Sequence, residues 1–179
     1  PAYYNRGIAK DRLEDYKGAI QDYTKAIELK PIFPEAYNNR GYAKDKIEDY
    51  QGAIQDFTKA IEINTNFADA YYSRGVSKFK IDDYHGAIQD YTKAIEINTN
   101  FADAYYNRGY AKDKLEDYRG AIQDFTKAIE INTNFGEAYN NRGLAKYKLN
   151  DKNGACLDWN KASKLGNNYA NALITKYCK

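Results

Sequence analysis

Methionine is absent from these 179 residues, and histidine and tryptophan occur once each. Without Met, the chain reads as processed or excised, which leaves an upstream secretion signal open. His85 stands in a slot held by Lys17, Gln51, Arg119 and Asn153 at 34-residue intervals, the exchange pattern of an exposed surface position. Cys156 and Cys178 are too few for a disulfide framework or a four-ligand zinc site. Two separate thiols are expected, the alternative being a clasp that closes a loop of about 20 residues. No apolar run approaches the ~18 residues of a membrane span, and no signal-peptide core is visible. A soluble chain without a membrane partner follows, with the cytoplasm favoured and secretion or a periplasmic location left open.

Catalytic signals are also scarce. The glycines stand singly, 11 residues apart within each copy, rather than in a loop that could cradle phosphates. Paired acids recur as Glu14-Asp15, Glu48-Asp49 and Asp82-Asp83, at positions where helix capping explains them better than acid–base chemistry. No enzyme activity, cofactor or metal is expected. The net charge is only +2, but eight Lys/Arg against two Asp/Glu from Ala138 onward give +6 there and leave −4 before it. That excess reads as a solubilising cap. The acidic remainder offers no continuous basic track for phosphates, so nucleic acid is not an expected partner.

What is abundant is repetition. The stretch AYYNRG at Ala2 returns at Ala104, with AYNNRG at Ala36 and Ala138 and AYYSRG at Ala70, always 34 residues apart. Residues 36–69 and 104–137 differ at five of 34 places. The copies are 2–35, 36–69, 70–103, 104–137 and 138–171, followed by a partial helix over 172–179, all in one array over 1–179. Within 70–103, Tyr71, Arg74, Gly75, Lys78 and Ile81 follow three-four spacing, the signature of one helix face. Asp83 suits the N-cap of a second helix carrying Tyr84, Ala87, Ile88, Tyr91, Ala94 and Ile95. Asn100 is placed as the cap of the next helix. Neither helix buries its apolar face alone, so the pairs must stack.

A 34-residue helix-turn-helix unit with aromatic-x-x-x-Gly and then Ala-x-x-x-aromatic resembles the tetratricopeptide repeat, over essentially the whole chain. The resemblance implies an all-α fold, a right-handed α-α superhelix or solenoid of stacked antiparallel helix pairs with about 11 helices. Gly7, Gly41, Gly75, Gly109 and Gly143 match its small slot, and Tyr23, Phe57, Tyr91, Phe125 and Trp159 its aromatic slot. Three features depart from the pattern. Arg6, Arg40, Arg74, Arg108 and Arg142 precede the glycines, and Lys10, Lys44, Lys78, Lys112 and Lys146 follow them, heads expected to stay in water. The Pro that ends the second helix survives only as Pro31, so the later second helices are expected to run slightly further. Asp22, Asp56, Asp90, Asp124 and Asp158 recur once per copy, which predicts an Arg–Asp ladder between helices.

By the same resemblance, the other face of each first helix lines a concave groove where peptides dock. Its candidate residues are Tyr4, Asn5, Asn39, Tyr42, Asp45, Tyr72, Ser73, Phe79, Tyr106, Asn107, Tyr110, Asp113, Asn141 and Tyr147. Aromatics there give contact area, and the Asn row is expected to hold a peptide backbone. The Lys–Asn–Asn–Lys–Arg clamp that some family members use for chaperone tails is not matched, since its first Lys slot holds Tyr or Asn and its later one acids. A protein-interaction scaffold is the expected function. A structural spacer that self-associates through its repeat ends is the alternative, because near-identical copies present similar end faces.

Overall fold

The computed structural model describes residues 2–178. Lys179, at the end of the expected terminal helix, lies outside them. Eleven helices and no strand occur among the described residues: α1 (Ala2–Arg12), α2 (Tyr16–Leu29), α3 (Pro34–Lys46), α4 (Tyr50–Ile63), α5 (Ala68–Lys80), α6 (Tyr84–Ile97), α7 (Ala102–Lys114), α8 (Tyr118–Ile131), α9 (Gly136–Lys148), α10 (Lys152–Lys164) and α11 (Asn168–Tyr177). The chain forms two compact units, one ending at Ile97 and the other starting at Asn98. In the first, α1, α3 and α5 pair with α2, α4 and α6, and α2 and α4 pack on the first helix of the next pair. In the second, α7 pairs with α8 and α9 with α10, while α8 packs on α9 and α10 on α11. No described helix is long and apolar enough to cross a membrane.

Each pair turns within three residues, and the paired acids divide that task. The first of the two residues, an acid in four copies and Asn150 in the fifth, adopts a left-handed backbone, φ between 60° and 65° at Glu14, Glu48, Asp82, Glu116 and Asn150. Such a φ is uncommon outside glycine and reverses the chain sharply. The next residue caps: the backbone N–H of Gly18 donates to Asp15, as do those of Gly52, Gly86, Gly120 and Gly154 to Asp49, Asp83, Asp117 and Asp151, at 2.8–3.0 Å. The expected Asp83 cap is therefore present. Asn100 is not a cap: Phe101 holds that position without a side-chain bond, and the Asn100 N–H donates instead to Asn98 Oδ1 at 3.1 Å.

That bond also explains why the second helices do not lengthen where Pro is lost. The ends of α4, α6 and α8 at Ile63, Ile97 and Ile131 fall at the same point in the period as Leu29, before Pro31. Asn64, Asn98 and Asn132 each accept the N–H two residues on at 3.0–3.1 Å, a local turn that competes with another helical step.

Small residues bring the paired helices together over one buried aromatic. Tyr23, Phe57, Tyr91, Phe125 and Trp159 are all at most 1% exposed, set among alanines at 0%. A Cβ at Gly109 would lie 2.9 Å from the Phe125 ring and 3.2 Å from the Ala121 carbonyl oxygen, so this approach requires glycine. The Arg–Asp ladder is present in all five pairs. Arg40, for example, donates from Nε and Nη2 to Asp56 at 2.9 and 2.7 Å, a bidentate fork. The lysines do not keep their heads in water. Lys44 Nζ lies 2.8 Å from Asp56, and its equivalents hold Asp22, Asp90, Asp124 and Asp158 at 2.8–2.9 Å. A buried carboxylate with two faces to satisfy draws in both cations. The third guanidinium nitrogen reaches the preceding copy, where Thr24, Thr58 and Thr126 accept from Arg40, Arg74 and Arg142 at 3.0–3.1 Å.

The C-terminal helix begins at Asn168, two residues before the 34-residue spacing from Gly136 would start it. Gly166 (φ 86°) turns the chain early, and Ala170, 0% exposed, takes the packing position of Ala138. Cys156 and Cys178 form a disulfide, which corrects the expectation of two thiols. Leu173, Ile174 and Tyr177 of α11 pack on Trp159 and Ala162, and that packing brings the two sulfurs together.

Candidate functional site

With the ladder on one side of each first helix, the opposite face carries the candidate binding residues. In the first unit these stand on α1, α3 and α5. Asn39 Nδ2 donates to the Tyr4 hydroxyl at 3.1 Å, and the Tyr4 ring packs on Phe33 and Tyr23, with centroids 4.6 and 5.9 Å away. Asn5 lines a cavity of about 290 Å³ with Tyr3, Tyr4, Leu29, Lys30 and Phe33. Tyr42, Asp45, Tyr72 and Ser73 come together around a second cavity of about 230 Å³ between α3 and α5, completed by Lys46, Phe57, Val76 and Lys80. Phe79 points elsewhere, edge-on to Tyr84 of α6 at 5.1 Å.

Asp45 is not an open groove acid. It is buried, accepting from Ser77 Oγ and Lys80 Nζ at 2.7 Å each. Ser77 escaped the sequence reading, although a signal existed: it alone breaks a slot otherwise held by Ala9, Ala43, Ala111 and Ala145. For Asp11, in the Asp45 slot one copy earlier, the position that corresponds to Ser77 is Ala43, which has no hydroxyl to offer. The Asp11 Oδ1 is buried with no hydrogen-bond partner, and burial raises the Asp11 pKa against the opposing charge of Lys46.

In the second unit, Asn141 Nδ2 donates to the Tyr106 hydroxyl at 2.9 Å, repeating the Asn39–Tyr4 bond. Tyr106 lies near-parallel to Tyr110 (6.4 Å between centroids, 10° between planes) and also contacts Phe125 and Phe135. Burial, reinforced by Tyr110 and Glu137, pushes its hydroxyl pKa up to about 12. Burial likewise raises Asp113, with Lys114 and Lys148 opposing. Asn107 belongs to the same face of α7. Tyr147 is packed away between Trp159 and Tyr177, at 5.8 and 4.6 Å. Asn39 and Asn141 thus each commit an amide N–H to a tyrosine hydroxyl of the preceding copy, and the Asn141 Oδ1 also accepts from Asn140 Nδ2 at 3.2 Å.

Stacked helix pairs with a variable face on the first helices define a helical-repeat scaffold. The family models agree with that geometry: the tetratricopeptide repeat model matches residues 1–33, 34–67 and 102–135, and a second TPR repeat model matches 78–115. The chain belongs to the tetratricopeptide repeat family, whose members are generally non-catalytic scaffolds for protein–protein interaction. A crystal structure of MamA is 32% identical, with 92% of this chain and 96% of that one covered and a TM-score of 0.85. MamA from Desulfovibrio magneticus RS-1 is 23% identical over 92% of this chain and 93% of its own, with a TM-score of 0.86. YrrB, described as a TPR protein with an unusual peptide-binding site, is 23% identical over 97% and 90%, with a TM-score of 0.82. At 23% identity the likeness concerns the fold alone. No curated protein sequence matches significantly.

Proposed function

We propose that the chain binds a peptide or protein segment on the face of its first helices, lined by α1, α3 and α5 in the first unit and, separately, by α7 and α9 in the second. The observation that carries this reading is the α3–α5 cavity, with Tyr42 standing 43% exposed at its edge. A partly exposed ring beside an unfilled hollow of mixed apolar and charged lining is an arrangement that interface hot spots complete on binding. The peptide-binding description of YrrB, a protein of like fold, supports it. The packing side of each first helix, by contrast, is occupied by its own Arg and Lys bound to the Asp of the paired second helix.

The test is selection of a capped, randomised peptide library on the immobilised protein, repeated on the double variant Tyr42→Ala/Tyr110→Ala. Tyr72 and Tyr106 are poorer targets, because their rings also pack on Tyr91 and Phe125. Selected peptides are expected to lose about tenfold or more in affinity on the double variant, the scale of a truncated hot spot, with unchanged helical circular dichroism. Unaltered affinity on a folded double variant would remove this face from consideration.

A further inference from the structure

Resting on the peptide-binding reading above, we propose that the α3–α5 cavity selects one sequence pattern. An apolar side chain of an extended segment seats between Tyr42 and Val76, and a carboxylate two residues along the same segment meets Lys46.

Size comes first. At about 230 Å³ the cavity is smaller than the roughly 300–1,000 Å³ of small-molecule sites, and it suits a single side chain. Tyr42, Tyr72, Val76 and Phe57 supply its apolar lining, alongside Asp45, Lys46, Ser73 and Lys80. The hollow follows from substitutions confined to α5. Val76 stands where other copies have Ile8, Tyr42, Tyr110 and Leu144, and Ser73 where they have Asn. Both replacements are smaller, so α5 leaves room that Leu144 and Asn141 take up at the corresponding place on α9.

Charge comes second. Two lysines border the cavity, and they differ in kind. Lys80 is neutralised by Asp45 at 2.7 Å. Lys46 has no carboxylate within 4 Å among the described residues, and its ammonium instead lies 5.0 Å from the centre of the Tyr42 ring. With Asp45 held by Ser77 and Lys80, and with Asp11 and Asp45 acting on Lys46 only from beyond ion-pair distance, the Lys46 ammonium stands at the mouth beside an aromatic wall without a carboxylate bound to it. An acidic group is its complement.

Spacing comes third. Lys46 follows Tyr42 by four helical residues, an axial rise of about 6 Å. Two residues of extended chain advance about 6.6 Å and return to the same face. A strand-like segment lying along α3 therefore presents residue i to the cavity and residue i+2 to Lys46.

Library selection with a randomised six-residue core is expected to enrich Leu, Ile, Met or Phe followed two positions later by Asp or Glu. On Lys46→Glu, an exposed-rim change, the acid preference should reverse to Lys or Arg while the apolar preference persists. On Val76→Phe, which fills the hollow, the apolar preference should vanish and affinity for the enriched peptides should fall about tenfold. Lys46→Glu keeps the idea testable should Val76→Phe fail to fold. Peptides that bind and depend on Tyr42 and Tyr110, yet show no such spacing or no charge reversal on Lys46→Glu, would overturn this inference and leave peptide binding standing. An unenriched library would overturn both.

Discussion

Asp90 is held by Arg74 through two bonds of 2.9 and 2.6 Å and by Lys78 at 2.8 Å, with Arg74 also bonded to Thr58 at 3.0 Å. All this sits where the carboxylate is 4% exposed and the two cations 17% and 19%. Asp90→Ala would strand two cations and should cost about 3–5 kcal/mol in urea denaturation. A cycle with Arg74→Ala should show strong coupling, whereas additive losses would mean that the fork does not act as a unit. Arg6, 59% exposed and with no threonine partner among the described residues, should be the mildest of the five arginines to remove. Its partner gives the acid limb of stability a defined origin. Hydrogen bonds from Arg6, with Lys10 adding to them against the opposing effect of burial, lower the Asp22 pKa from 3.8 to about 2. Between those values the unfolded chain takes up a proton that the folded chain does not. Stability from this group is therefore complete above 3.8 and lost as pH falls through about 2. Asp22→Asn should flatten that part of the stability–pH curve in thermal melts, and an unchanged slope would exclude Asp22 as its source.

Among the helices, α11 is the one whose place depends on a covalent bond. It packs mainly on α10, touches α9 through the Tyr177–Tyr147 ring contact, buries only Ala170 fully, and is tied at its end by Cys178 to Cys156. The bond joins residues 22 apart, and by loop entropy it stabilises by about 3 kcal/mol. Reduction, or Cys178→Ser, should loosen α11 and wet Trp159, whose ring is 6.0 Å from that of Tyr177. Because Trp159 is the one tryptophan in the chain, its emission reports on this helix directly. A red shift under dithiothreitol that is absent in the serine variant is the expected result, and identical spectra in all states would show that packing alone holds α11. Elements of this kind also mark how far the sequence could be read. Helix faces, Asp caps and the Arg–Asp fork follow from spacing within one copy, and all three were legible. The roles of Asp45, Ser77 and Lys80 were not, because they arise from contacts 32 and 35 residues apart, across copies whose mutual register is fixed only by packing. The Asn64-type helix stops were missed for a different reason. Asn beside a lost proline reads as either a cap or a turn, and only the backbone geometry separates the two.

For the molecule as a whole, two kinds of connection alternate. Every turn inside a pair has three residues, with a left-handed Glu, Asp or Asn followed by a capping Asp, whether in α1–α2 or in α9–α10. The connections between pairs are looser in kind: Lys30–Phe33 with a proline, Asn64–Phe67 with an Asn turn, and Leu165–Asn167 one residue shorter with a glycine. The repeat therefore has one rigid joint and one adjustable joint, and foreign sequence can be spliced into the adjustable one. Four Gly/Ser residues inserted after Thr65 should lower the urea midpoint slightly, by less than about 1 kcal/mol of loop closure. The same four after Glu48 would part the left-handed residue from the Asp49 cap and should cost well over that. Equal losses would mean that both joints are rigid. The unequal result would make the inter-pair loops the natural ports for carrying a reporter or a second binding segment on this scaffold, with the face of the first helices left undisturbed.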